Sequence, residues 1–425
     1  MSEQALLQIL LGEFYHKLNR LHDLVPRDIR FPQASNKIKV AIGMRRTGKT
    51  CLIYQHIQEL LAGGIDRSSV LYINFEDDRL IPFDERNLGQ LVDAFYTLYP
   101  QNHERQCYFF FDEIQNISNW PLVIRRLHDT KNAEIFLTGS SAKMLSKEIS
   151  TNLRGRSIAT EVWPFHFDEF LKAHHVSIDR SLYDRKTLDS LNHYFQRYLV
   201  EGGFPEVSFY SSDERQKTLQ DYIDVVIYRD IIERHHIKNP SVIKYMILSM
   251  IHNVAKPFTI NKFYNDLKSR GYSTSKDLLY DYADHIEDAY LAFSVEIYDP
   301  SIRKVQTNPK KLYAVDPGLV RALTLDFEND LGRVFENIVY LDLRRRGCKV
   351  NYYLTHERYE VDFLAQTPQG EKKFFQVAWD MDDPQTRERE ERALRSAMQE
   401  MEIQGEIVTL DSYLRKGVQF DRIGK

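Results

Sequence analysis

The chain has 425 residues, with 57 Lys and Arg against 61 Asp and Glu and a formal net charge of −4. So even a balance excludes global attraction to nucleic acid or to an anionic membrane, and any such contact needs a local basic patch. Apolar content of 43% and charged content of 28% describe an ordinary globular protein, long enough for roughly two to four domains with sizeable cores.

At the N-terminus, the stretch from Met1 to Leu11 carries Glu3 where a signal peptide would be basic, and its apolar run is broken by Glu13 and His16. No run of about 18 or more apolar residues occurs, so no membrane span is expected. Cys51, Cys107 and Cys348 lie far apart without C-x-x-C spacing, which points to neither a disulfide framework nor a zinc site. A reducing cytoplasm is the expected setting.

The first strong signal follows. Lys37 to Ile42 is short, apolar and β-branched, as a buried parallel strand should be. Gly43-Met44-Arg45-Arg46-Thr47-Gly48-Lys49-Thr50 matches G-x-x-x-x-G-K-[ST], the phosphate-binding loop of nucleoside triphosphatases. Thr50 to Ile57 then has helical spacing without a breaker. Gly43 and Gly48 let the chain wrap closely, so that backbone N–H groups face phosphates, and the helix N-terminus adds its positive end. Lys49 is expected on the β- and γ-phosphates, and the Thr50 hydroxyl on Mg²⁺. Arg45, Arg46, Thr47 and Cys51 complete the candidate nucleotide contacts, although solvated arginines are the plainer reading of Arg45 and Arg46.

Four further apolar segments continue in α/β rhythm, which predicts a parallel, doubly wound sheet. Ser69 to Phe75 ends in Glu76-Asp77-Asp78. Cys107 to Phe111 runs into Asp112-Glu113, the pattern of a Walker B element: Asp112 for Mg²⁺ and Glu113 to orient or deprotonate the attacking water. Ala133 to Thr138 ends in Gly139-Ser140-Ser141, where Ser140 is the first candidate for sensing the γ-phosphate and Thr138 the second. Ser157 to Val162 follows Asn152-Leu153-Arg154-Gly155-Arg156. Arg154 and Arg156 are candidates either for neutralising transition-state charge or for structural ion pairs.

The order of these elements, with Phe109 to Trp120, Leu137 to Ser141, Leu153 to Arg156 and Trp163 to Phe170, resembles a widespread group of prokaryotic AAA-like ATPases. That resemblance implies Mg²⁺-dependent ATP binding and hydrolysis in a core over residues 1–165, followed by a helical lid over 166–236. Glu201-Gly202-Gly203-Phe204-Pro205-Glu206 is similar to the G-x-P lid motif of the related signal-transduction ATPases, which would set Pro205 against adenine. A turn between two helices is the alternative. The adjacent His235 and His236 read as surface residues and not as metal ligands.

Residues 237–325 read as three helices and two strands around a polar tip at 299–304, the layout of a winged helix-turn-helix that the same group carries. Ser275 is the expected N-cap of the third helix. That helix bears Asp277, Asp281, Asp284, Glu287 and Asp288 against Lys276 alone, a poor surface for DNA. Arg303, Lys304, Lys310 and Lys311 on the wing remain candidates for backbone contact, and a protein or interdomain contact is the favoured role of the helix.

Residues 326–425 resemble the restriction-endonuclease-like fold, including archaeal Holliday junction resolvases. Those enzymes use a helix Glu, a strand Asp and an acid-x-Lys pair around Mg²⁺. Glu336 and Asp362 match, Gln376 replaces the second acid, and Ala378 stands where the lysine belongs. An α/β nuclease scaffold without nuclease activity is therefore expected. The whole chain reads as an ATPase coupled to C-terminal interaction domains, with oligomerisation open. Two other readings stand beside it: a slowly hydrolysing protein-interaction switch, and an ATP-powered DNA nuclease.

Overall fold

The computed structural model describes residues 2–21, 24–139, 153, 155–179, 184–324 and 331–420. The chain divides into two compact units, Met1–Trp163 and Pro164–Lys425.

In the first unit, β1 (Ile38–Ile42), β2 (Val70–Asn74), β3 (Cys107–Asp112), β4 (Ala133–Thr138) and β5 (Ser157–Glu161) form a five-stranded sheet in the order β2-β3-β4-β1-β5. Each pairing is parallel, as the alternation predicts. The intervening helices are α1 (Glu3–Arg20), α2 (Lys49–Ala62), α3 (Glu85–Leu98) and α4 (Trp120–Thr130). Parallel strands need crossovers that cover both faces, which is why the inner strands are mostly apolar along their length. Alternate side chains divide between the faces. Phe109 and Phe111 join Leu71, Ile73 and Leu137 beneath α3 and α4, whereas Tyr108 and Phe110 join Val70 and Phe136 beneath α2. Helix α1 serves both cores, with Leu7 and Leu11 in one and Phe14 and Leu18 in the other. Truncating a fully buried ring such as Phe110 to Ala would cost about 3–5 kcal/mol. A basic charge is buried within the sheet: Lys39 is ion-paired with Glu134 of β4 at 2.5 Å.

The second unit opens with α5 (Phe167–Ala173), α6 (Arg185–Glu201), α7 (Ser212–Val225) and α8 (Pro240–His252). After α6 the chain turns at two glycines. Gly202 has φ +75°, and a Cβ on Gly203 would lie 2.1 Å from the Phe165 carbonyl oxygen, so a side chain fits at neither. The Gly203 N–H donates to Asp316 Oδ2 at 2.6 Å, and the Leu319 N–H donates to Asp316 Oδ1 at 3.1 Å. One buried carboxylate thus joins the glycine turn to a later helix.

Next come α9 (Ile260–Ser269) and α10 (Lys276–Asp288), packed with an antiparallel sheet of β6 (Pro257–Phe258), β7 (Ala292–Val295) and β8 (Lys310–Ala314) in the order β6-β8-β7. The expected polar tip is different: Ile302–Thr307 forms a short helix, α11. Asp299 accepts the Ser301 amide at 2.8 Å, and the Ser301 side chain caps the helix by accepting the Lys304 amide. Such side-chain acceptors satisfy amides locally and leave no trace in apolar periodicity. Helix α12 (Pro317–Leu323) follows, with Asp316 as its N-cap.

The last sheet holds β9 (Lys349–Leu354), β10 (Glu360–Gln366), β11 (Lys372–Ala378) and β12 (Gly405–Thr409) in the order β12-β11-β10-β9. It is antiparallel except between β11 and β12. Its helices are α13 (Leu331–Arg345), α14 (Pro384–Met401) and α15 (Leu410–Lys416). The Tyr298 N–H donates to the Tyr352 carbonyl at 2.7 Å, and the Tyr313 ring of β8 stacks on Tyr340 of α13 at 4.3 Å. Strand β8 therefore faces inward at this point. That overturns one expectation: Lys311 is 3% exposed and cannot serve as a wing residue on a nucleic-acid backbone. Lys304 and Lys310 are ion-paired at the surface with Asp299 and Glu296.

Candidate functional site

Between β1 and α2 the backbone needs its glycines. Gly43 has φ +145°, and a Cβ there would lie 2.3 Å from the Val162 carbonyl oxygen; Gly48 has φ +94° at the N-cap of α2. Arg46 is also left-handed, with φ 67°. The loop is held from within by the Thr47 hydroxyl, which donates to the Met44 carbonyl at 3.0 Å. It is held from behind by Arg27, whose guanidinium is buried and donates to the carbonyls of Thr47 and Trp163, each at 2.7 Å. Sequence reasoning missed Arg27, which stands alone before β1 in no motif.

Lys49 is buried, and its ammonium donates to the carbonyls of Met44 at 2.9 Å and Gly43 at 3.2 Å. The Thr50 side chain lies near enough to the Asp112 carboxylate to favour its charged form. Asp112, 1% exposed at the end of β3, also accepts from the Tyr72 hydroxyl at 2.9 Å and from the Thr138 hydroxyl. Burial pushes the Asp112 carboxyl up; the Thr138 hydrogen bond opposes that rise, and the Glu113 charge adds to it.

Glu113 has φ 53°, an uncommon conformation for a residue with a side chain. Its N–H donates to Thr138 Oγ1 at 2.9 Å, and its carboxylate accepts from the Gln115 amide. Thr138 thus bridges the two neighbouring acids. A further acid, Glu76 at the end of β2, lies near enough that Glu113 raises its carboxyl, after burial as the larger cause; Arg45 pairs with Glu76 at 3.5 Å. The acidic run after β2 was legible in the sequence, but the adjacency of β2 and β3 was not.

Arg156 is half-buried and paired with Asp129 at 3.0 Å, the structural alternative weighed for it. Cys51 is half-buried in α2, and burial pushes its thiol up. Pro205 opens a short turn of helix in the second unit. Ser140 and Arg154 lie outside the described residues.

A glycine-bounded loop at a helix N-terminus, with a lysine inside it, fits a polyphosphate. A buried carboxylate near a threonine side chain is a hard-oxygen pair suited to Mg²⁺. No helix among the described residues is long and apolar enough to cross a membrane.

Comparison with known proteins matches residues 35–171 to an AAA domain and residues 192–330 to a domain of unknown function, DUF8612. A Methanocaldococcus jannaschii protein described as "Uncharacterized protein MJ1544" is 35% identical over 93% of this chain and 86% of its own length. An uncharacterized Haemophilus influenzae protein is 32% identical over 81% of this chain and 83% of its own. Among solved structures, the Walker-type ATPase PABY2304 of Pyrococcus abyssi aligns with 72% of this chain and 100% of its own, at 14% identity and a TM-score of 0.46. A score that low carries no argument by itself.

Proposed function

This chain belongs to one family with MJ1544 and matches an AAA domain over residues 35–171, and from these we propose that it binds Mg-ATP and hydrolyses it by direct attack of water on the γ-phosphate. The observation that carries the reading is the hydrogen-bonded chain Asp112–Thr138–Glu113, which ties the acid pair together at the strand end whose Asp112 feels the Thr50 side chain of the phosphate loop.

In this proposal the amides from Gly43 to Thr50 hold phosphate oxygens, helped by Arg45, Arg46, Thr47 and Cys51. Lys49 exchanges the Gly43 and Met44 carbonyls for the β- and γ-phosphates. Thr50 and Asp112 hold Mg²⁺, which when bound neutralises charge on the phosphate oxygens. Glu113 orients the water and takes its proton, while Thr138 fixes the Glu113 backbone. Ser140 senses the γ-phosphate. Arg154, or Arg156 once it leaves Asp129, neutralises charge on the transferred group. Pro205 meets the base, within a lid over residues 166–236. A winged-helix module and an endonuclease-like module without cutting activity follow, and the nucleotide cycle moves them. Glu113→Gln tests this: the variant should retain ATP and stall turnover, and a wild-type rate would remove Glu113 from catalysis.

A second reading, a slow nucleotide-timed protein switch, is favoured by the exposed acids Asp277, Asp281 and Asp284 on α10, which would repel a phosphate backbone. Turnover measured with and without duplex, branched and single-stranded DNA separates the two. Slow rates that ignore DNA, with an ATP-dependent change in oligomeric state, select the switch.

A further inference from the structure

The second unit contains a cluster of charge that ATP hydrolysis does not use. Glu336 of α13 and Asp362 of β10 occupy the positions where an endonuclease-like fold would place metal-binding carboxylates. Between them lies the Lys311 ammonium, brought from β8 of the other sheet. Its Nζ is 2.7 Å from Glu336, 3.0 Å from Glu360 and 3.0 Å from Asp362.

An ammonium has three N–H donors; here it donates to Asp362 and is ion-paired with Glu336 and Glu360. The spacing is that of N–H···O bonds, whereas oxygen ligands sit about 2.0–2.1 Å from Mg²⁺ and about 2.3–2.6 Å from Ca²⁺. Two oxygens of the cluster have further partners. Asp362 Oδ2 accepts the Val377 N–H at 2.9 Å, and Glu336 Oε1 also accepts the Tyr313 hydroxyl at 2.7 Å. Gln376, at the position of the second acid, accepts the Asp362 N–H at 3.3 Å with its amide oxygen and donates to Glu390 at 2.6 Å. Lys311, Asp362 and Gln376 are 3%, 7% and 5% exposed, so the heart of the cluster is closed to a phosphodiester, and only Glu360, with its side chain 40% exposed, reaches the surface. Burial disfavours the charged lysine, but the carboxylates outweigh it and hold Lys311 above the usual range. The residues present do not fit a divalent metal.

We propose that Lys311 is the resident cation of the Glu336–Glu360–Asp362 carboxylate cluster, standing where a divalent metal would bind, so that this unit takes no metal until the ammonium is removed. The missing strand lysine at Ala378 has therefore not been replaced by a catalytic one. Lys311 lies within the carboxylate triangle as counter-ion, and it fastens β8 to β10 and α13.

The test uses the full chain without nucleotide, with Mn²⁺ as probe and thermal unfolding as readout. Wild type should show no Mn²⁺ stabilisation that Asp362→Asn removes. Lys311→Ala should unfold at lower temperature and regain stability as Mn²⁺ rises, logarithmically with concentration; the double variant with Asp362→Asn should regain none. Lys311→Met, which keeps the buried stem, serves if Lys311→Ala does not fold. An Asp362-dependent Mn²⁺ shift in wild type would overturn the proposal, as would folded Lys311 variants that take no Mn²⁺. So would Mg²⁺- or Mn²⁺-dependent nicking of plasmid DNA by wild type that is lost in Asp362→Asn. None of these readouts depends on ATP turnover, so failure here and failure of the ATPase reading are distinguishable.

Discussion

Thr138→Val changes little in shape at a fully buried position, yet it deletes the hydroxyl that joins the two acids of the candidate site. Two hydrogen bonds disappear: the one donated to Asp112 and the one accepted from the Glu113 amide at 2.9 Å. A bond to a charged group is worth about 1.5–3 kcal/mol and a neutral one about 0.5–1.5, so a combined loss of about 2–4.5 kcal/mol is expected. In a unit the size of Met1–Trp163 each kcal/mol lowers Tm by about 2–4 °C, which gives a fall of about 4–18 °C. The functional consequence is separate. Without its amide partner, Glu113 is freed from its left-handed conformation and its carboxylate is misplaced, which should lower kcat on the order of tenfold to a hundredfold with little change in KM. Calorimetry and steady-state ATPase assays measure both, with Thr138→Ser as the control that restores the hydroxyl. Unchanged Tm and kcat in Thr138→Val would refute the reasoning. Equal damage in Thr138→Ser would assign the effect to methyl packing.

Other perturbations test different parts of the molecule. Lys49→Ala removes the ammonium from the loop and should weaken ATP binding at least about thirtyfold, a loss of about 2 kcal/mol or more; tight binding by calorimetry would contradict the phosphate-loop reading. Arg27→Leu leaves the buried Thr47 and Trp163 carbonyls without that donor, which should cost about 1–3 kcal/mol for each and loosen nucleotide binding; unchanged urea unfolding would remove Arg27 as the loop's support. Asp316 gives a pH signature. Burial pushes its carboxyl up to about 6, against the hydrogen bonds from Gly203 and Leu319. The folded state then binds this proton more tightly than the unfolded chain. The contribution is full below the ordinary value near 4 and is lost as pH rises through about 6. Stability of the second unit should fall across that window, and Asp316→Asn should flatten the fall; an unaltered pH profile would reject the assignment.

Much of the first unit could be read from order along the chain. Apolar runs that alternate with amphipathic stretches specify parallel strands covered on both faces, because neither kind of segment can satisfy its backbone and bury its apolar side any other way. Gly43, Gly48, Lys49, Thr50, Asp112 and Glu113 stood out as candidates because each belongs to a motif of short, fixed spacing, which consecutive residues display without any fold. The capping of α11 by Asp299 and Ser301 was missed, since a side-chain hydrogen bond across two or three residues competes with periodicity without altering it.

Proximity across the fold was another matter. That Thr138 binds both acids, that Glu76 stands beside Glu113, and that Arg27 supports the loop all follow from which strand lies next to which, and sheet order is a property of the folded chain. Lys311 is the sharpest case. Its local pattern is an exposed strand end in a basic stretch, and only the packing of one sheet against another encloses it among acids that follow it by 25 to 51 positions. Short-range chemistry is written in consecutive residues because the backbone itself holds them together. The neighbours of a buried charge are chosen by packing, and desolvation then requires that each be paired.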